Sequence, residues 1–313
     1  MDGDLATARI LPCQPALTAP RQVLPGTTYF VTRRTAQRQF LLKPSKLTNG
    51  IVGYILAVAA ARYGILLHAV VVMSNHVHFV LTDPFARLPE FLQYFDSFVA
   101  RALNSSYGRW ETFWAPGSFS AVTLVGPEDV VEKTAYALAN PVAAGLVASG
   151  RDWPGLWSPP GSFGSSWRRF ERPKDFYREK GFMPEHATLE LSVPRGFEAD
   201  QFKALVSARL AEKEEEAARA LEAAGRKFMG VRRVLAQKHT DYPAQGEPRR
   251  RLNPRVAARD KWKRIEALQR LRSFLEAYRE ALAKLRDGVK DVVFPHGTYR
   301  LRVLLHVECA GAG

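Results

Sequence analysis

The sequence is poor in cysteine and in long apolar runs. Its two cysteines, Cys13 and Cys309, stand near opposite ends, so they define neither a disulfide framework nor a thiolate metal cluster. The longest apolar run, IVGYILAVAAA, has 11 residues, whereas a membrane-spanning helix needs about 18. The opening residues, MDGDLATARI, carry acids where a secretory signal carries lysines. These absences predict a soluble, cytoplasmic protein in a reducing compartment, with no membrane partner.

Acidic residues are also few in relation to basic ones. The chain has 45 Lys and Arg against 31 Asp and Glu, a net charge of +14 and a pI of about 10.0. Residues 200–313 hold most of the excess, with 25 basic against 15 acidic residues. A basic balance of this size predicts a polyanionic partner, although it does not identify the polyanion. With DNA as that partner, the protein would be associated with the nucleoid.

The hydrophobic pattern of residues 24–160 predicts the order β-α-β-β-α-β-α. The predicted strands are 27–34, 66–73, 76–82 and 119–125, and the predicted helices are 47–64, 88–108 and 127–140. In the first helix, Asn49 is the candidate cap and Gly64 the stop signal. This order predicts an α+β fold with a ferredoxin-like antiparallel sheet and helices on one face.

Composition predicts four parts along the chain. They are an N-terminal tail (1–23), a main domain (24–160), a linker rich in Trp, Pro, Gly and Ser (161–198), and a basic, mainly α-helical C-terminal domain (199–313). Within the last part, patterning predicts helices over 199–224, 226–238 and 260–287, a loop over 240–258 and a short β-like end.

Two histidines stand one residue apart in the apolar stretch VVMSNHVHFVL. On a strand, His76 and His78 project to the same face, because the side-chain period is two. Both imidazoles can therefore reach one divalent ion, but two ligands hold an ion poorly and a third must come from elsewhere. The alternative is that both histidines are structural or surface residues.

A later helix, in TAYALANPVAAGLV, offers further polar groups. Tyr136 and Asn140 are four residues apart and are therefore neighbours on one helical face. Alternatively, Tyr136 is a core residue and Asn140 ends the helix, because Pro141 disfavours helical geometry in the residue before it. The spacing by itself leaves both interpretations open.

Taken together, the two segments carry a resemblance. The order NHVH and then, 58 residues after the second histidine, Y-x3-N-P-V resembles the single-tyrosine transposases of the HUH class. The similarity is greatest to the REP-associated tyrosine transposases and related insertion-sequence enzymes. It covers residues 24–160 and includes TTYFVTRR, FWAPGSFS and DWPGLWSPP in the corresponding order.

The resemblance implies roles for four residues. His76 and His78 would hold Mg²⁺ or Mn²⁺, Tyr136 would be the nucleophile, and Asn140 would stand where related enzymes place a third ligand, often Gln or Glu. It also implies an enzyme that cleaves and rejoins single-stranded DNA, in hairpin or palindromic repeats. The covalent intermediate would be a 5′-phosphotyrosine with a free 3′-OH, and the protein would act as a monomer or a homodimer.

Single-stranded DNA requires a basic track with aromatic platforms for unstacked bases. The candidates are Arg33, Arg34, Arg38, Trp114, Arg232, Arg233, Arg250 and Arg251. Alternatively, the arginines form a solvated edge and the tryptophan lies in the core.

Two other classes of function compete with strand transfer. A domesticated DNA-binding regulator would keep the fold and the basic tail without transferring a strand. A small nucleotide hydrolase with a strand histidine as nucleophile would typically have a third alternating histidine, and position 80 is Val80. The sequence therefore favours the two DNA-binding hypotheses.

Overall fold

The computed structural model describes residues 20–117, 119–178, 181–244 and 254–311. These residues form two compact units: a main unit of residues 23–270, and a small unit of residues 271–311 with 20–22. This division differs from the four parts predicted from composition. The DNA-binding candidates Arg250 and Arg251 lie outside the described residues.

The main unit is built on a five-stranded sheet. The strands in the described part of the chain are β1 (Thr27–Arg34), β2 (Leu66–Val72), β3 (His76–Asp83), β4 (Ser120–Leu124), β5 (Ser165–Glu171), β6 (His186–Leu191) and β7 (Val256–Ala257). The sheet order is β2-β3-β1-β4-β7, antiparallel except for the short pairing of β7 with β4. The first four strands have the order of a ferredoxin-like fold, so the predicted α+β class is confirmed.

The described ranges also contain seven α-helices. They are α1 (Lys46–Tyr63), α2 (Leu88–Ser106), α3 (Pro127–Ala143), α4 (Ala199–Ala223), α5 (Val231–Ala236), α6 (Lys261–Arg286) and α7 (Arg300–Leu305). Helix α1 ends at Gly64, which has a left-handed φ of 67° as predicted. Its cap is Ser45 rather than Asn49, because the Ser45 hydroxyl accepts a hydrogen bond from the Thr48 N–H.

The two faces of the sheet are covered by different helices. On one face, the Phe79 ring packs against Phe91 and Phe95 of α2, and α1 lies beside α2. On the opposite face, α3 places Tyr136 against the Phe30 ring of β1. The ferredoxin-like pair of helices thus lies on one face as predicted, and α3 covers the other.

The predicted linker, residues 161–198, contains the antiparallel pair β5 and β6. This pair packs on α1, where a Cβ added to Gly53 would come within 2.3 Å of the Phe170 ring. Leu189 and Leu191 are fully buried. The Pro and Gly residues that suggested a linker therefore lie in turns next to a hairpin, and the apolar side chains of that hairpin belong to the core.

Two further sequence predictions differ from the structure. The basic helix expected over 226–238 is limited to α5, because Gly230 adopts a left-handed φ of 84° immediately before it. The expected β-like end contains helix α7 instead.

In the small unit, the rings of Phe274, Tyr278 and Phe294 form a cluster. None of the helices in the described ranges is long and apolar enough to cross a membrane.

A buried histidine fixes the hairpin segment to the edge of the sheet. His68 lies at a bulge in β2; its Nδ1 is 2.8 Å from the Ser192 carbonyl oxygen and its Nε2 is 2.8 Å from the Thr82 hydroxyl. Since a carbonyl only accepts, Nδ1 carries the proton and Nε2 accepts from the hydroxyl. Burial lowers the pKa of His68 from 6.5 to about 4, partly offset by the bond to Ser192.

The lowered pKa predicts an acid-sensitive contribution to stability. The unfolded chain takes up a proton on His68 near pH 6.5 and the folded chain only near pH 4. The stabilisation present above pH 6.5 is therefore lost as the pH falls to 4, and amounts to about 3 kcal/mol. In urea unfolding, the free energy of unfolding of His68→Gln should fall less between pH 6.5 and pH 4 than that of the original chain. His186→Gln, at an exposed position, is the control and should show the same dependence of unfolding free energy on pH as the original chain. The same dependence in all three proteins would contradict the assignment.

Candidate active site

The pairing of β1 with β3 sets the position of both predicted histidines. Thr32 lies opposite His78, and its hydroxyl oxygen is 2.9 Å from His78 Nδ1. The side-chain oxygen of Asn75 lies 2.7 Å from His76 Nδ1. The two imidazole rings are 4.7 Å apart between centroids, nearly perpendicular to one another. Both histidines therefore point to one face, as the strand period predicts, and each ring is oriented through its Nδ1.

Helix α3 brings the tyrosine to the same face. The helix begins beside Asp129, whose carboxylate accepts hydrogen bonds from the Gly126 and Arg259 N–H groups at 2.8 and 2.7 Å. The Tyr136 ring is 6.2 Å from the His78 ring between centroids. The side chain is 43% exposed and lines a cavity, so a ligand in solution can reach the phenol.

Asn140 lies one turn further along α3. The helix does not end there, as the proline suggested, but continues through Pro141 to Ala143. The Asn140 amide donates to the Tyr136 carbonyl at 2.9 Å, and its side chain also interacts with the His78 ring. Because this interaction opposes the lowering of the His78 pKa, the Asn140 atom that faces the ring is the acceptor, its amide oxygen.

The environment of His78 keeps it neutral. Burial lowers the pKa of His78 well below 6.5, the nearby His76, Arg34 and Lys133 lower it further, and the interaction with Asn140 opposes the shift. At pH 7 the ring is therefore uncharged, which is the form that binds metal ions.

The donor set fits a divalent cation of intermediate hardness. In the described part of the chain, no group of three His, Cys, Asp or Glu side chains is placed to hold a metal. A third protein ligand beside His76 and His78 would therefore be an uncharged group, and the Asn140 amide oxygen is next to them. Because each ring engages its Nδ1, Nε2 is the nitrogen that a cation would take. Two imidazoles and an amide oxygen suit Mn²⁺ better than Mg²⁺, which prefers oxygen alone.

Sequence reasoning missed one residue, Lys133. Its ammonium nitrogen lies 5.2 Å from the centre of the Tyr136 ring and 5.8 Å from that of Phe30. The spacing of three residues before Tyr136 on a helix could have indicated it. At this distance the ammonium and the ring face attract one another, which places a positive charge beside the candidate nucleophile.

The structure separates the predicted DNA-binding residues into two groups. Arg33 is largely buried and donates to Asp96 at 2.8 Å and to the Ala115 carbonyl at 3.0 Å. Trp114 is also buried, and its indole donates to the Asp96 carbonyl at 2.8 Å. These contacts show that both residues have structural partners, and their role in DNA binding stays a prediction. Arg34, one residue further along β1, is exposed and lies opposite His76.

Two cavities flank the catalytic candidates. The Tyr136 cavity, of about 470 Å³, includes Tyr136 and Asn140 in its lining. The His76 cavity, of about 590 Å³, is lined in part by Arg34, Arg38 and His76. Arg232 and Arg233 are exposed on α5 and line neither cavity.

Comparison with known proteins finds likeness in solved structures only. No protein-family model and no curated protein matches the sequence. One matching structure is a REP-associated tyrosine transposase bound to a REP hairpin, with 20% identity, a TM-score of 0.38, and coverage of 45% of this chain and 81% of that one. Another is a candidate transposase of Deinococcus radiodurans R1, with 20% identity, a TM-score of 0.27, and coverage of 38% and 95%. Both matches cover less than half of this chain.

The different surroundings of two neighbouring arginines predict different effects on stability. Arg33→Ala would leave Asp96 buried without its charged partner and should lower the free energy of unfolding by about 3 kcal/mol. Arg34→Ala, at the neighbouring exposed position, should change the free energy of unfolding by less than about 0.5 kcal/mol. Urea unfolding monitored by circular dichroism measures both, and a reversed order would show that the contacts of Arg33 are misassigned.

Proposed function

We propose that the protein is a metal-dependent transposase, a DNA strand transferase that cleaves and rejoins single-stranded, hairpin-forming DNA through Tyr136. The observation that supports this most directly is the arrangement of four side chains from distant parts of the sequence. His76 and His78 come from β3, Tyr136 and Asn140 from α3, and the phenol is exposed beside the imidazoles. A purely structural role would not require an exposed tyrosine next to two oriented histidines.

The proposed step exchanges one ester for another. The Tyr136 oxygen attacks a backbone phosphorus and forms an O–P bond, while the bond from phosphorus to the 3′ oxygen breaks. The phenol loses a proton and the departing 3′ oxygen gains one, so the products are a 5′-phosphotyrosine and a 3′-OH. Because the new ester is similar in energy to the old one, the reverse attack by a 3′-OH can rejoin a strand without ATP.

The chain's own groups assist in two ways. A phenol is mostly protonated at neutral pH, so its oxygen needs stabilisation as negative charge develops. Lys133 lies over the Tyr136 ring and supplies a positive charge there. Arg34, exposed opposite His76, is placed to attract the phosphate backbone. A divalent cation held by His76, His78 and Asn140 would polarise a phosphate oxygen.

The direct test is formation of a covalent adduct. The whole chain is incubated with Mn²⁺ and a DNA hairpin that has a 5′ extension and carries a label on each side of that extension. Adducts are then separated by denaturing electrophoresis. We expect a protein–DNA adduct with the original chain and none with Tyr136→Phe, because the variant retains the ring but lacks the attacking oxygen.

Tyr107→Phe is the control, because Tyr107 follows the last residue of α2 and its hydroxyl donates to the Leu41 carbonyl. It should form the adduct at the original level. An adduct undiminished in Tyr136→Phe would reject Tyr136 as nucleophile. DNA binding without an adduct in the original chain would instead support a regulator that does not transfer strands.

Metal binding can be tested independently of activity. Thr32→Val removes the hydroxyl at His78 Nδ1, and loss of such an orienting partner typically weakens metal affinity by about 10- to 100-fold. Titration of Mn²⁺ followed by electron paramagnetic resonance should therefore show weaker binding in Thr32→Val. Thr28→Val on the same strand removes a hydroxyl bonded to Thr82 and should bind Mn²⁺ as the original chain does. Unchanged affinity in Thr32→Val, or in His78→Ala, would contradict a metal site at these residues.

A further inference from the structure

The end of α4 fixes the next residue, Arg226, in space. Gly225 adopts a left-handed φ of 64°. The Gly225 N–H bonds the Glu222 carbonyl at 2.8 Å, and the Arg226 N–H bonds the Leu221 carbonyl at 3.0 Å. These two bonds form a Schellman motif, which turns the chain back sharply at the helix end. The backbone of Arg226 is therefore held by hydrogen bonds rather than in an open loop.

The end of α3 has the same motif and faces the first one. Gly145 has a left-handed φ of 70°, and the following bonds run from Gly145 to Val142 and from Leu146 to Pro141. A Cβ added to Gly145 would lie 3.2 Å from Leu221 and 3.8 Å from the Arg226 guanidinium. The absence of a side chain at Gly145 thus allows Arg226 to approach the end of the helix that carries Tyr136.

Backbone hydrogen bonds join the two turns. The Met229 N–H donates to the Gly145 carbonyl at 2.9 Å, and the Gly230 N–H donates to the Leu146 carbonyl at 2.8 Å. Further along, His239 stacks on the Tyr107 ring at 4.4 Å between centroids. The segment from 225 to 239 is thereby held by the end of α3 at its start and by Tyr107 at its end.

Arg226 lines both the Tyr136 cavity and the His76 cavity. Of the other cations around α4, Lys213 and Arg209 donate to Glu132 at 2.6 and 2.7 Å. Burial disfavours ionisation of Glu132, but these two hydrogen-bonded partners hold its pKa below the ordinary value. The Arg226 guanidinium makes no ion pair with any residue of the described ranges. It is therefore a positive charge available to a ligand that enters either cavity.

We propose that Arg226 binds a backbone phosphate of the single-stranded DNA next to the bond that Tyr136 attacks, so that residues 225–244 form a wall of the substrate cleft. This inference rests on the proposed function. The His76 cavity combines three arginines, at 34, 38 and 226, with the half-buried Phe40 ring. Cations that follow a backbone, together with an aromatic ring that stacks on a base, are the features by which proteins bind single strands.

A guanidinium suits this role because its planar donors match phosphate oxygens in pairs. Among the described residues that line the Tyr136 cavity, Glu216 is the one acidic side chain. A strand in the cleft is therefore expected to pass closer to the arginines of the His76 cavity than to Glu216. The position of Arg226 between the cavities places it where a strand would leave the catalytic residues.

The test measures binding without cleavage. All variants are made in a Tyr136→Phe background, and a fluorescein-labelled oligothymidine strand is titrated by anisotropy at several salt concentrations. Arg226→Ala should bind about tenfold more weakly, because a charge-assisted hydrogen bond to phosphate is lost. The slope of log affinity against log salt should also decrease in size by about 0.7, the value for one phosphate contact with a single strand. Arg226→Lys should recover the slope but only part of the affinity.

Lys227→Ala is the matched control, because it removes the same charge from the adjacent exposed position, which lines neither cavity. It should lower the affinity less than Arg226→Ala does. Equal loss in both variants, or no change in affinity and slope in Arg226→Ala, would overturn the proposal.

The outcome is separable from that for the proposed function. If the original chain forms the covalent adduct but Arg226→Ala binds oligothymidine normally, only the role of Arg226 fails. If the original chain forms no adduct and Arg226→Ala still loses a phosphate contact, strand transfer fails and the binding cleft remains. Circular dichroism of Arg226→Ala should match that of the original chain, since its backbone bonds do not involve the side chain.

Discussion

The antiparallel register of β1 on β3 is the constraint on which the candidate site depends. It places Thr32 opposite His78, so that Phe30, Thr32, His76 and His78 all lie on the face that α3 covers. Because side chains alternate along a strand, a slip of one residue would turn both histidines toward α2 and expose Phe79 in their place. The packing of Phe79 on Phe91 and Phe95 opposes that slip. The hydrophobic core on one face of the sheet thus fixes the polar groups on the other.

The hydrophobic core also determines the charge of His78. His78 is buried against the stacked Phe30 ring, 5.1 Å away, and this burial keeps the imidazole neutral. Tyr136 belongs to the same cluster but lies at its edge, where it reaches the solvent. Helix α3 therefore has two packing partners. One side covers the sheet, and the other packs along α4, where Glu132 forms ion pairs. The Tyr136 cavity lies between α3 and α4, where these two packings leave a gap beside Tyr136.

The sequence predicted the elements whose signals are local. The four strands and three helices of residues 24–160 follow from period-two and period-3.6 patterns, and Gly64 ends α1 as its type suggests. Prediction failed where Pro and Gly were taken as signs of a linker, because residues 161–198 form a hairpin buried against α1. It also failed at residues 300–305, where the six-residue segment RLRVLL forms α7; segments as short as this suit a strand and a helix equally.

For the site, spacing alone determined that His76 and His78 share a strand face and that Tyr136 and Asn140 share a helix face. The tertiary structure decided that these two faces meet, because strand register and the packing of α3 depend on contacts between segments far apart in sequence. It also decided that Arg33 lies against Asp96 while Arg34 faces outward, and that Arg226 stands beside the end of α3. Neighbouring arginines have the same local pattern, and only long-range packing distinguishes a buried ion pair from a charge that a ligand can reach.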